Sequence, residues 1–237
     1  MAQKIINKKV YQFDLSVDST KTFTSTEVDI VNNNVLVVSH GIATGTACGL
    51  ATTGAVPTGL TALTTAYYII AVDTHNVAFA TSRANALAGT KIDLTAVGSG
   101  TTTIHQNGFG DVIMGTVPDG LLVTNAWYQV TTTFTSPTGV DNAQIALGVV
   151  ANGDLVAAVA INGTNDPWDA GMQGTLAGTP ALSVFHASNN PTALELINNQ
   201  KSKLLIATAD RAILANVTVD TLSAGALKLF VEGFQGV

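Results

Sequence analysis

The feature that most constrains the fold is an alternation of apolar and polar residues with a period of two. It is clearest in residues 11–17, 128–134, 213–219 and 227–232. Because successive side chains of a strand point to opposite faces, this pattern predicts strands with one buried face. Gly, Asn and Pro residues separate these short segments. The sequence therefore predicts an all-β fold, an antiparallel β-sandwich or jelly roll.

A central segment interrupts this pattern with its own set of short strands and one helix pattern. Residues Ser82–Ala88 form that pattern, in which Thr81 or Ser82 can cap the start and Gly89 can end the helix. Three segments are therefore predicted. Residues 1–28 form an N-terminal arm and the first strand or strands of the β-sandwich, and residues 107–237 form the remainder of the sandwich. Residues 29–106 form an inserted small β-rich module that contains one short helix.

The chain is unusually poor in charge. Charged residues make up 11% of it, against about a quarter in a typical soluble domain. Burying a charge in an interface is costly, so this composition favours a protein whose surface is covered by neighbours. The net charge of −6 argues against a nucleic-acid partner. The absence of an apolar run of 18 or more residues argues against a membrane span.

The basic residues near the start form one cluster, Lys4, Lys8 and Lys9. We interpret residues 1–9 as a solvated arm, with a phosphate contact as the alternative. The same stretch lacks an apolar signal-peptide core, which predicts synthesis in a cytoplasm without a signal peptide. The single cysteine, Cys48, excludes an intrachain disulfide.

No catalytic constellation is evident in the sequence. The four histidines are scattered without carboxylates at metal-ligand spacing, and no phosphate loop or nucleophile elbow is present. The sequence therefore predicts no enzyme, no cofactor and no metal site.

One loop has mixed aromatic and acidic chemistry, with Asp166, Trp168 and Asp169 close together. A functional interpretation is a sugar or divalent-cation site, because an aromatic ring beside carboxylates suits carbohydrate binding. The structural interpretation is that Trp168 anchors a long loop while the carboxylates cap its turn. Trp127 and Tyr128 are interpreted as strand core.

Several stretches resemble known phage proteins. The stretches His40–Gly45, Pro57–Leu60, Tyr67–Asp73 and Phe79–Thr90 resemble a small β-module that recurs in virion structural proteins of tailed bacteriophages. The later stretches Trp127–Ser136, Ile145–Val149, Pro167–Gly171 and Leu227–Glu232 look like phage structural proteins often encoded near the major capsid protein.

The resemblance implies a non-enzymatic head decoration (cement) protein on the capsid surface of a virion. Its expected partners are the major capsid protein and other copies of itself, as a homotrimer. Lys4, Lys8 and Lys9 would then contact acidic capsid surface. The alternatives are a phage tail or fibre component, or a carbohydrate-binding module that uses the Trp168 loop.

Overall fold

The computed structural model describes residues 6–148, 155–162, 167–171, 205–206 and 210–236. Regular structure in these residues is almost entirely β-strand, which confirms the predicted all-β class. The strands are β1 (Ile6–Ser16), β2 (Asp18–Thr24), β3 (Val28–Asp29), β4 (Asn34–Leu36), β5 (Ala47–Thr52), β6 (Tyr67–Ala71), β7 (Asn76–Ala80), β8 (Thr101–Gln106), β9 (Gly110–Val117), β10 (Leu121–Thr135), β11 (Gln144–Gly148), β12 (Val156–Ala160), β13 (Leu205–Ile206), β14 (Arg211–Thr218) and β15 (Ala224–Gly236).

The one α-helix of the described residues is α1 (Arg83–Leu87), inside the predicted segment. It begins after Ser82, whose hydroxyl accepts a hydrogen bond from the amide of Asn85 at 3.1 Å. This contact satisfies one of the free amides of the first turn, as expected for an N-cap serine. A short 3-10 helix, Ser25–Glu27, follows β2.

Among the described residues, eight strands form a sandwich of two four-stranded sheets. The first sheet has the order β1-β15-β10-β13 and the second the order β12-β11-β14-β9. Their inward side chains belong to one apolar cluster, with Leu15 and Leu229 from the first sheet and Ile145 and Ile213 from the second. Residues 155–161 are apolar at both alternating positions, a pattern typical of a central strand, yet β12 lies at the end of its sheet.

The pairing of the sandwich strands is nested. The first of the eight strands pairs with the last, β1 with β15, in continuous register from Ile6↔Gly236 to Ser16↔Ala226. The second pairs with the seventh (β9 with β14), the third with the sixth (β10 with β13) and the fourth with the fifth (β11 with β12). All of these pairs are antiparallel.

A third sheet, here called the inserted sheet, lies in sequence between β1 and β9. Its order is β2-β8-β5-β6-β7-β4-β3, so it spans residues 18–106. Strand β2 pairs with β8, although the sequence prediction places residues 18–24 in the first segment with the sandwich strand. The polypeptide thus leaves the sandwich after Ser16 and returns to it at Gly110.

Both faces of the inserted sheet are buried at its centre. One face, with Leu50, Ile69 and Phe79, forms a separate apolar cluster with the loops of the same segment. The opposite face, with Tyr68 and Ile70, joins the core cluster of the sandwich. Because neighbouring residues of a strand face opposite ways, one run of apolar residues supplies both clusters.

Candidate interaction surfaces

The predicted N-terminal arm is a strand from residue 6 onward. Lys8 and Lys9 lie in β1, opposite Phe234 and Gly233 of β15, and Lys4 lies outside the described residues. The solvated arm predicted over residues 1–9 is therefore wrong for residues 6–9. The prediction failed because ladder hydrogen bonds use the backbone, so lysines can occupy a strand whose outer face is solvated.

Lys8 already has an acidic partner within the chain. Its Nζ lies 2.9 Å from Oε2 of Glu232, and 58% of its side chain is exposed. An exposed pair of this kind adds little to stability. Lys9 is exposed as well. Lys8 therefore lies on the outer face of the first sheet with Val10, whereas Lys9 follows the alternation of Tyr11 toward the opposite face.

Trp168 lies in the core of the sandwich, with 0% of its surface exposed. Its ring stacks on Tyr128 at 5.4 Å and meets Phe134 edge-on at 6.3 Å, while its Nε1 donates to the carbonyl of Val159 at 3.0 Å. Both the ring and its polar atom are thus used within the protein. This geometry favours the loop-anchor interpretation over a sugar site that needs a free ring.

The carboxylates around Trp168 add no evident ligand site. Asp169 is partly buried and engaged in an interaction, and Asp166 lies outside the described residues. No group of three or more His, Cys, Asp or Glu side chains in the described residues is arranged to hold a metal ion. The described part of the chain also has no helix that is both long and apolar enough to cross a bilayer.

Trp127 lies on the outer face of the first sheet, so its predicted core position is wrong. Its neighbour Tyr128 points inward and is buried, and alternation along β10 then turns Trp127 outward. Trp127 is 36% exposed and stacks on its cross-strand partner Phe230, with centroids 5.3 Å apart and planes 13° apart. Val10 of β1, which is 52% exposed, lies diagonally across from Phe230 of β15.

We call Val10, Trp127 and Phe230 the aromatic face. The charged residues beside it occur in oppositely charged neighbours: Lys8 with Glu232, and Asp14 directly across from Lys228. An apolar centre with a balanced charged rim is typical of protein interfaces.

A second set of exposed apolar residues lies along the outer strands of the inserted sheet. We call it the module edge: Ile30 and Val31 lie at one end of β4, and Leu36, Val38 and Val72 lie toward its other end. Val31, at 86% exposed, is the most exposed large apolar residue of the described chain. Asn76 lies next to two of these residues. It is the cross-strand partner of Leu36, and its carbonyl accepts a hydrogen bond from the Val72 amide at 2.9 Å.

Two turns with the same Asp-x-x-Asn pattern shape this edge. In the first turn the Asp29 carboxylate accepts hydrogen bonds from the amides of Val31 and Asn32 and from the Asn32 side chain, at 2.6–3.0 Å. Asp73 makes the equivalent three contacts with His75 and Asn76, at 2.7–2.9 Å. The carboxylate thus holds each turn closed and leaves the apex side chains to solvent.

An open groove runs beside the module edge. It is lined by Thr26, Glu27, Val28, Asp29, Asn32, Asn34, Leu36 and Asn76. None of the sites predicted from the sequence lies at this edge. The signal that could have revealed it is Ile30-Val31 at the apex of a turn bounded by Asp29 and Asn32, where polar residues are usual.

Comparison of the chain with protein-family models, with curated proteins and with solved structures finds no match in any of the three.

Proposed function

We propose that this chain is a non-enzymatic structural protein of a tailed-bacteriophage virion that decorates the capsid and bridges neighbouring capsomers. The observation that carries the proposal is the presence of two separate exposed apolar surfaces on one charge-poor chain. The aromatic face lies on the first sheet of the sandwich, and the module edge lies on the inserted sheet. A bridging protein needs at least two contact surfaces.

The chemistry of both surfaces suits protein contact. Interface cores are depleted in charge and enriched in aromatic residues, and Trp is common among the residues that dominate binding energy. Trp127 stacked on Phe230 provides such an anchor. Scattered exposed apolar residues are ordinary, but grouped ones mark interaction sites.

We further infer a jelly-roll connectivity for the sandwich. Its support is the nested pairing of first with last, second with seventh, third with sixth and fourth with fifth strand, which is the pattern of a long hairpin rolled up into two sheets. A homotrimer on the capsid is proposed as well, since three weak contacts held together gain avidity.

The direct test uses empty shells of the encoding phage, assembled without this protein. Purified chain added to such shells should co-sediment with them and raise the temperature at which they disrupt. A reconstruction of the decorated shells should place the chain between capsomers, in groups of three. Failure to bind shells, or density only on the tail, would overturn the decoration proposal.

Variants of each surface test the bridge. Val31→Asp at the module edge and Trp127→Ala on the aromatic face should each weaken binding and abolish the thermal stabilisation of the shells. Val140→Asp is the matched control, because Val140 is 60% exposed in a loop outside both surfaces. If both surface variants stabilised the shells against heat as well as the wild-type chain does, the assignment of these surfaces would be wrong.

A further inference from the structure

The inserted sheet and the sandwich interlock at the turn between β14 and β15. Leu222 donates its amide to Gly108 O at 2.8 Å, and the Thr221 hydroxyl donates to Leu63 O at 2.7 Å. Gly49 of β5 lies so close to Thr221 that a Cβ at position 49 would overlap the threonine side chain. We call this contact between residues 220–223 and the inserted sheet the joint.

His105 of β8 lies in the joint and is buried, with 4% of its surface exposed. Its Nδ1 is 2.7 Å from the hydroxyl of Ser19, and that hydroxyl donates to the carbonyl of Ser223. A carbonyl only accepts, so the serine proton is committed to Ser223, and His105 must donate its Nδ1–H to Ser19. This network assigns the neutral Nδ1–H tautomer.

The other ring nitrogen of His105 is left with a lone pair. Nε2 is buried and has no hydrogen-bond partner among the described residues. Protonation would place a second N–H, and a positive charge, at a position where no described group accepts it. A buried polar atom in that state is strongly destabilising.

We propose that His105 is an acid-sensitive latch between the inserted sheet and the sandwich. The neutral ring closes the joint through Ser19 and Ser223, and protonation at Nε2 favours opening of the joint, which lets water reach the charged ring. Burial lowers the pKa of His105 to about 4, in agreement with this geometry. The proposal does not depend on the capsid function.

The charged groups around His105 do not offset the lowering of its pKa by burial. The titratable or charged side chains on the elements packed against His105 are Asp18 and Lys21 of β2, Cys48 of β5 and Asp220 of the joint itself. Asp18 accepts hydrogen bonds from the amide of Thr20 and the side chain of Gln106, and Asp220 from Thr138 and Thr221. Burial raises the pKa of the Cys48 thiol, which stays neutral.

The sign of the pH effect follows from proton linkage. An exposed histidine has a pKa near 6.5 and His105 in the closed joint about 4, so the open form binds more protons between these values. The stability of the closed joint relative to the open form is therefore greatest above about pH 6.5, and it decreases as the pH falls toward 4. Over that whole interval the open-to-closed ratio rises on the order of 100-fold.

A nuclear magnetic resonance titration of the full wild-type chain tests the latch without any variant. We expect the ring nitrogens of His105 to report the Nδ1–H tautomer and to stay neutral until the pH approaches 4. Titration of His105 near the ordinary histidine pKa, or an Nε2–H tautomer, would overturn the proposal.

Hydrogen exchange locates the opening. The Leu222 amide bonds across the joint, whereas the Ile69 amide bonds to Thr46 O within the inserted sheet. After correction for intrinsic exchange, the protection of Leu222 should fall at least about tenfold between pH 6.5 and 4.5, while that of Ile69 is unchanged. Equal loss at both amides would mean general unfolding and would contradict a latch.

Variants assign the effect to one residue. His105→Asn retains an amide that can donate to Ser19 but does not titrate, so the acid-induced loss at Leu222 should disappear. His75→Asn is the control, because His75 is exposed in the turn after β6 and should leave the loss intact. Persistence of the wild-type loss in His105→Asn would refute the latch.

Discussion

Gly225 lies directly against the ring of Phe134. A Cβ atom at position 225 would overlap three ring carbons of Phe134, and the φ angle of Gly225 is +134°, where L side chains are strained. Phe134 is buried and packs edge-on against Trp168. The start of β15 therefore approaches the sandwich core at a distance that only glycine permits.

Substitution of this glycine should be costly. Gly225→Ala should lower the free energy of unfolding by about 3 kcal/mol, because overpacking and backbone strain each contribute about 1–3 kcal/mol. Urea denaturation measures the loss. Gly139→Ala is the control: its φ is +67° with no atom within 4 Å of the new Cβ, so a loss of about 1 kcal/mol is expected. Equal losses would contradict the close packing.

The two tryptophans should differ sharply in their contribution to stability. Trp168→Ala should lower the free energy of unfolding by about 3–5 kcal/mol, because it removes a fully buried ring and leaves the Val159 carbonyl without its donor. Trp127→Ala on the outer face should cost about 1 kcal/mol. Chemical denaturation of both variants provides the comparison, and similar losses would show that the two positions are wrongly assigned.

Removal of residues 1–9 should destabilise the chain, because it deletes the pairing of Ile6–Lys9 with β15. Lys8→Ala, which breaks the ion pair with Glu232 but keeps the backbone ladder, should cost less than about 1 kcal/mol. Differential scanning calorimetry should thus show a clearly lower melting temperature only for the deletion. An unchanged melting temperature for both would mean that this part of β1 is dispensable.

The two Asp-x-x-Asn turns should resist acid to below the usual aspartate range. The side-chain hydrogen bond from Asn32 holds the pKa of Asp29 below 3.8, and that from Asn76 does the same for Asp73. Because the folded-state pKa is depressed, the stabilisation is present above about pH 3.8 and is lost as the pH falls through the folded value.

Carboxyl chemical shifts followed by nuclear magnetic resonance measure both pKa values. Asn76→Ala should return the pKa of Asp73 toward 3.8 and leave that of Asp29 unchanged. The reverse result, or no change at Asp73, would contradict the contribution of the Asn76 side chain.

The local conformation of much of the chain could be predicted from the sequence. Alternation of period two marked the strands that became β1, β10, β14 and β15. The start of α1 was predicted at Thr81 or Ser82, and the structure has Ser82 as the N-cap. These signals are local, because side-chain direction in a strand and capping at a helix start depend only on residues close in sequence.

The position of Trp127 required the tertiary structure. Alternation requires Trp127 and Tyr128 to face opposite ways, but both are aromatic, and the sequence alone does not say which one the core receives. The decision depends on the second sheet, whose apolar residues cover the Tyr128 side of β10. The exposure of the module edge likewise depends on which elements of the fold cover each face of the inserted sheet.

Strand pairing is likewise a long-range property. The register of Ile6 with Gly236 joins opposite ends of the described chain, and the joint brings Ser19 to Ser223 and His105. The sequence alone determined that these residues form strands and turns, since that follows from local sterics and periodicity. Only the folded structure decided which strands meet, because that choice depends on burying many apolar faces together.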